Sequence, residues 1–334
     1  MHGERRLTPH DRLWIGGLVA TMFALVGFGA WVRLVDAGLS MVRWEPIMGI
    51  LPPIGREAWE RVYGAYMQTP QYAVLRPDLE AFRLLFWPEY LHRVLGRLLF
   101  LALALPLLRT GVRARLGVPR TRRLAHVVAG IVFQGTVGWV MVASGLRDRP
   151  MVHPWMLAFH LTLATVLLLL LTAELDDHRP PRAFTPNRVH GLLACALAVL
   201  VLGALVAGLR AGILYPTFPG FRGVWLPEEV FACGGAACFV DGATLHWLHR
   251  MGAYGLAIAT PLVLAPSLRA AGSHRTWALR VIAHLGLQVA LGAAVVLTRV
   301  AVPLAVLHQL NAVALVLTLA RLARLDDAVV ARSR

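Results

Sequence analysis

No lysine occurs anywhere in the chain, acidic residues are few, and cysteine is nearly absent. All 33 basic residues are therefore arginine, set against 18 Asp and Glu for a formal charge of +15. Charged residues make up only 15% of the sequence, which excludes a disordered chain, and 57% hydrophobic residues argue against a water-soluble one. Three cysteines cannot build a disulfide scaffold. The positive charge does not mark a nucleic-acid partner either. The arginines fall between apolar runs, where loops at a membrane carry them, and form no stripe interleaved with aromatic residues.

What the sequence has in abundance is long apolar runs. Eight are long enough to cross a bilayer as helices: about 13 to 32, 90 to 108, 124 to 143, 156 to 175, 189 to 209, 246 to 265, 277 to 298 and 303 to 322. The expected fold is an all-α integral membrane protein. The leader Met1 to Arg12 is short, polar and without a small-residue cleavage site, so the first run is expected to stay in the mature protein. Arg5, Arg6 and Arg12 precede the first run; Arg109, Arg113, Arg115, Arg120, Arg122 and Arg123 separate the second from the third; Arg321 and Arg324 follow the eighth. Those segments are expected in the cytoplasm, with both termini. The loops from 33 to 88 and from 210 to 245 balance their arginines with acids and are expected outside.

The chain also repeats itself. Each half has four apolar runs, a long outer loop after the first, and a His-Arg pair opening the second. His92-Arg93 answers His249-Arg250 at an offset of 157, and Gln134-x3-Gly138 answers Gln288-x3-Gly292 at an offset of 154. The reading is two tandem four-helix bundles, residues 1–180 and 181–334, related by a pseudo-twofold axis along the membrane normal.

Ionisable groups inside apolar spans are costly and are functional candidates by default. His92, His160, His249 and His308 fall on the four even-numbered runs, a few residues after each begins, which puts them at matched depth near the outer face. Neutral imidazoles on facing bundle helices suit haem iron. Gly96 and Gly252 offer small residues nearby, and Arg93 and Arg250 are candidates for pairing with haem propionates. A purely structural reading, in which buried histidines bond between helices, suits one such residue better than four. A histidine-lined metal path lacks acidic partners recurring in both halves. Glu89, on the face of His92 three residues earlier, is either a proton donor and acceptor or an interfacial anchor. Its counterpart before His249 is His246, a competing ligand candidate, so the halves are chemically unequal. His126 and His284 read as packing or interfacial residues and His153 as a loop residue; His2, His10, His178, His190 and His274 read as solvated or interfacial. Cys233 and Cys238 flank four small residues in the second outer loop, where a local disulfide is expected in an oxidising compartment. Cys195 reads as a buried thiol within the fifth run.

Several segments together resemble a known family. They are Ala37-Gly38-Leu39-Ser40-Met41-Val42-Arg43-Trp44-Glu45-Pro46, Pro52-Pro53, Gln68-Thr69-Pro70-Gln71-Tyr72, Glu89-Tyr90-Leu91-His92-Arg93, Met141 to Leu146, His160 to Ala164, Thr217-Phe218-Pro219, His249-Arg250 with Ala253-Tyr254, and Leu307-His308-Gln309. In this order, over nearly the whole chain, they are similar to haem A synthases of the proteobacterial and mitochondrial branch. The resemblance implies oxidation of a methyl group of haem O to formyl by successive hydroxylations, giving haem A for cytochrome oxidase. It implies that His92 and His160 hold the substrate haem O, that His249 and His308 ligate a resident haem B, and that Glu89 is the catalytic carboxylate. It further implies a bacterial inner membrane, with haem O synthase and cytochrome oxidase assembly factors as candidate partners and no nucleic acid. The electron donor is not legible. Two departures stand out: Arg43-Trp44-Glu45 replaces the family's acid-Trp-Lys, and the first outer loop has no cysteine pair. From the residues alone, the rival readings are a dihaem b-type cytochrome exchanging electrons with quinone and a haem carrier without turnover.

Overall fold

A computed structural model describes residues 6–45, 48–147, 150–176 and 187–332, with Met48 and residues 326–332 described by backbone alone. His2, Arg5, Pro46, His178 and the expected 180/181 boundary lie outside the described residues. Eleven α-helices and no strands are present among the described residues: α1 (Pro9–Leu34), α2 (Arg56–Tyr66), α3 (Pro70–Leu75), α4 (Leu79–Leu108), α5 (Thr110–Leu116), α6 (Val118–Gly145), α7 (Pro154–Ala173), α8 (Arg188–Gly208), α9 (Gly242–Arg269), α10 (Ser273–Leu297) and α11 (Val302–Arg332). Eight of them, α1, α4 and α6 to α11, are long and apolar enough to cross a membrane. The protein is all-α and multi-pass. It divides into two compact units, Met1–Leu171 and Thr172–Arg334.

Helix starts follow local chemistry. Thr8 and Asp11 close a capping box on α1, with Pro9 in the first turn. Asp78 caps α4, Asn187 caps α8 and Asp241 caps α9, each accepting a backbone N–H from the first turn. In the N-terminal unit the Arg115 guanidinium grips both carboxylate oxygens of the buried Asp11, its Nη2 lying 2.8 Å from Oδ1. In the C-terminal unit Asp176 accepts from Arg321 at 2.5 Å and from Arg324 at 2.8 Å. The turn between α10 and α11 is short because Arg299 and Val300 both adopt positive φ, 52° and 69°.

The second spanning helix begins eleven residues before the apolar run does, at Leu79 in place of 90. Its first three turns are amphipathic, and Glu80 and Arg83 lowered the hydropathy that would have revealed them. Phe82, Phe86 and Tyr90 recur at four-residue spacing and pack on Trp59 and Tyr66 of α2, forming an aromatic cluster that extends ahead of the apolar run. The 33–88 segment is thus largely helical. Thr69 caps α3, Pro70 opens it, and Gln71 donates from Nε2 to the Asp36 carbonyl at 3.0 Å, tying the segment to the end of α1.

Burial pushes the Tyr66 phenol up to about 12 from an ordinary 10.0, with nearby Asp36 adding to the effect. A raised native value means the neutral phenol is favoured by the fold, so its contribution is complete below pH 10.0 and falls as pH rises towards about 12. A shift of that size is on the order of 2 kcal/mol. Thermal melting is expected to fall across this window, and the Tyr66→Phe variant is expected to lose that part of the dependence.

Candidate functional site

Each of the four histidines lies against a glycine of the spanning helix that precedes its own. A Cβ at Gly29 of α1 would stand 2.9 Å from Cε1 of His92 on α4, and one at Gly138 of α6 would stand 3.0 Å from Cε1 of His160 on α7. In the C-terminal unit, Gly203 of α8 meets His249 of α9 at 2.8 Å and Gly292 of α10 meets His308 of α11 at 3.0 Å. Any larger residue would collide with the ring, so glycine lets the imidazole lie against its neighbour's backbone. The repeat is therefore a packing unit used four times, twice in each half.

Three of the four histidines keep a buried ring nitrogen free of hydrogen-bond partners. Nδ1 of His92, His160 and His308 is buried with no hydrogen-bond partner, whereas Nδ1 of His249 lies 3.0 Å from the Val199 carbonyl. In the C-terminal unit the His249 and His308 rings stand 6.5 Å apart between centroids, at 87°. Two metal–nitrogen bonds of about 2 Å each, with half a ring on either side, account for a separation of this size. The donor set and spacing fit haem iron.

The His-Arg arginines hold the loops that lead into their helices. Arg93 Nη2 donates to the Met41 carbonyl at 3.2 Å and pairs with Glu89. Arg250 Nη2 donates to the carbonyls of Thr217, Pro219 and Gly220 at 2.9, 2.7 and 3.0 Å, with its guanidinium 4.1 Å from the Phe221 ring. Arg250 Nη1 is buried and unpartnered, a donor still available to an anion such as a propionate. Glu89 is buried, and its Oε2 accepts from Ser40 N at 2.8 Å, Ser40 Oγ at 2.7 Å and Met41 N at 3.1 Å. The Gly-Leu-Ser-Met segment is thus clasped directly to the Glu-x-x-His-Arg helix. Beyond it Trp44 stacks on Trp139 at 5.8 Å. Arg97 donates to the Glu45 backbone carbonyl at 3.0 Å, so this loop contact does not depend on the sign carried by the Glu45 side chain.

The family's match to this chain spans residues 12–320, and its members are described as cytochrome oxidase assembly proteins. The chain belongs to this COX15-CtaA family. Among curated relatives, the protein named Heme A synthase from Beijerinckia indica is 40% identical over 92% of this chain and 90% of its own length. Proteins of the same name from Rhodopseudomonas palustris and Neorickettsia sennetsu are 39% and 32% identical over 90% of this chain, covering 87% and 94% of theirs.

Other sequence readings are refined by the coordinates. Cys233 and Cys238 are joined, with Cα atoms 5.3 Å apart. Cys195 is exposed on the surface of α8 and not buried as expected, because it lies on the apolar face that α8 turns away from its unit. Gly252 meets Val199 Cγ2 at 3.0 Å and serves helix packing, while Gly96 has no such neighbour within 4 Å. His246 is buried beside the rings of Tyr215 and Phe221, with Nδ1 unpartnered. Gly29 and Gly203 were missed by the sequence reading, because every odd-numbered span carries two or more glycines and nothing local singles out the one beneath a ring. His284, read as packing or interfacial, packs against α11, with its Nδ1 2.7 Å from Asn311 Oδ1.

Gly203→Ala tests the packing unit. The added methyl would displace the His249 ring and break its bond to Val199, so haem bound by the purified protein, read as pyridine haemochrome, is expected to fall at least about tenfold. Gly255→Ala, with open space at its Cβ position, is expected to leave binding unchanged.

Proposed function

We propose that the chain is a haem A synthase, converting haem O to haem A for cytochrome oxidase by oxidising one ring methyl to formyl through successive hydroxylations. The observation that carries the reading is the fourfold glycine–histidine packing in a chain that matches proteins named Heme A synthase over nearly its whole length. The N-terminal unit would take the substrate between His92 and His160, and the C-terminal unit would keep haem B between His249 and His308. Haem B supplies one-electron redox chemistry when bound. The remaining work belongs to side chains. Written as a half-reaction with water, methyl to formyl releases four electrons, which would pass to an electron acceptor outside this chain, and four protons, which a proton acceptor near the methyl group would take up. Glu89, one helical turn before His92, is the carboxylate placed to serve, with Ser40, Met41 and Arg93 orienting it. His246 stands at the corresponding position of the other unit, a difference that suits chemistry in one half and a resident cofactor in the other.

The arginine-rich segments support a bacterial inner-membrane orientation with cytoplasmic termini and haem sites towards the outer face. Haem O synthase and oxidase assembly factors are the partners this reading entails. In a bacterium deleted for its own haem A synthase, expression of this chain is expected to restore the a-type absorption of cytochrome oxidase. A chain present in the membrane without restoring that absorption would contradict the proposal.

A further inference from the structure

A cavity of about 630 Å³ opens between α2 and the first turns of α4, and none of the four histidines lines it. Its walls carry Arg56, Trp59, Glu80, Arg83 and Trp87. The two tryptophan rings stand 5.9 Å apart, and the Arg83 guanidinium lies 5.1 Å from the centre of the Trp59 ring. Arg83 Nη1 donates to Glu80 Oε1 at 2.6 Å, and Arg56 Nε donates to Glu60 Oε1 at 2.6 Å. Each guanidinium is thus held by a carboxylate of its own helix through one nitrogen and keeps further N–H donors for a ligand. Two guanidinium groups and one carboxylate line the cavity, so its walls suit a phosphate with a cationic group beside it.

The same face of α4 turns apolar beyond the cavity. Glu80, Arg83, Trp87, Leu91, Leu95 and Leu98 follow one another at three- or four-residue spacing, the period of one helix face. Trp87 and the three leucines are all exposed. From Trp87 to Leu98 the helix rises about 16 Å, against about 15 Å for half of a hydrocarbon layer. The stripe therefore runs from charge through an aromatic ring to aliphatic side chains, the order in which a phospholipid presents headgroup, interface and acyl chain. The C-terminal unit has no helical counterpart of Glu80 or Arg83, because α9 starts at Gly242, which corresponds to Leu85 at the offset of the His-Arg pairs.

We infer that this cavity binds the headgroup of a phospholipid bearing an ammonium group, such as phosphatidylethanolamine, with its phosphate between Arg56 and Arg83, its ammonium on Glu80 and an acyl chain along Leu91, Leu95 and Leu98. Glu80 gives one oxygen to Arg83, and its side chain is exposed enough for the other to receive the ammonium. The tryptophan faces add a second attraction for a cation. A glycerol headgroup would satisfy the arginines and leave Glu80 beside an anion with no cation of its own. A lipid seated here would brace α2 against α4, the helix that carries Glu89 and His92.

The test titrates the full-length protein, stripped of lipid in detergent, with phosphatidylethanolamine, phosphatidylglycerol and diacylglycerol of matched acyl chains, and reads bound lipid by native mass spectrometry. One phosphatidylethanolamine is expected to bind about tenfold more tightly than either of the others. Arg83→Gln is expected to weaken that binding about tenfold, Arg56→Gln by a smaller factor, and Glu80→Gln to erase the preference over phosphatidylglycerol. Arg56 is exposed, so its variant reads the site even where Arg83→Gln disturbs folding. Arg61, an exposed arginine of α2 paired with Glu57, does not line the cavity, and Arg61→Gln is expected to bind as the unsubstituted protein does. Retained binding in both Arg56→Gln and Arg83→Gln would overturn the inference, as would diacylglycerol or phosphatidylglycerol bound as tightly as phosphatidylethanolamine. Equal losses in Arg61→Gln would overturn it too, since they mark surface charge alone. Glycerophosphoethanolamine, the headgroup without chains, is expected not to displace the lipid at equal concentration; displacement would make this a site for a soluble phosphodiester and contradict the lipid assignment.

Discussion

Glu89→Gln is expected to cut haem A formation by about two to four orders of magnitude, the span a positioned proton-transfer group contributes, while bound haem stays at its usual level. Glutamine keeps an oxygen where Ser40 and Met41 donate, so the clasp on the Gly-Leu-Ser-Met loop can persist. It cannot take up a proton as a carboxylate does, and it loses the ion pair with Arg93. Glu89→Ala goes further, leaving two backbone N–H groups and a hydroxyl without their acceptor, and is expected to abolish product while still retaining haem. Chromatography of extracted haems reads product, and pyridine haemochrome of the purified variants reads content. Undiminished haem A from Glu89→Gln would reduce the residue to a loop anchor.

His249→Ala and His308→Ala should each remove almost completely the haem proposed for the C-terminal unit, the other large effect. The two ring centroids stand 6.5 Å apart, so with haem bound between them the loss of either histidine would remove one of its two protein ligands. The glycine pockets offer no replacement. His246 lies one turn from His249, but it is packed beside Tyr215 and Phe221. His246→Phe preserves that packing and is expected to keep haem, measured by the same haemochrome assay. Retained haem in His249→Ala together with loss in His246→Phe would exchange the two assignments.

Much of this was legible in sequence because hydropathy and histidine placement are local properties. Eight apolar runs became eight helices, and the His-Arg and Gln-x3-Gly pairs marked real packing positions. The α4 extension was not legible, because Phe82, Phe86 and Tyr90 bury one face of a helix whose other face carries Glu80 and Arg83. Nor were the partners of Glu89: a carboxylate clasped by a loop 48 and 49 residues away in sequence leaves no periodic trace. The glycine pockets lay in plain view as residues, but only the three-dimensional approach of each ring gives Gly29, Gly138, Gly203 and Gly292 their meaning. Arg93 and Arg250 were assigned to propionates from their position, and their Nη2 groups turn out to hold loop carbonyls. Charge at a helix end identifies a donor but not its acceptor.

The most direct test of the central claim is mass spectrometry of acid-extracted haems from a host that makes haem O but no haem A, with and without this chain expressed. Haem A or its hydroxylated precursor, appearing only with the chain, is the expected result. Haem O and haem B alone, with the protein folded and haem-loaded and a known synthase active in the same host, would contradict the account.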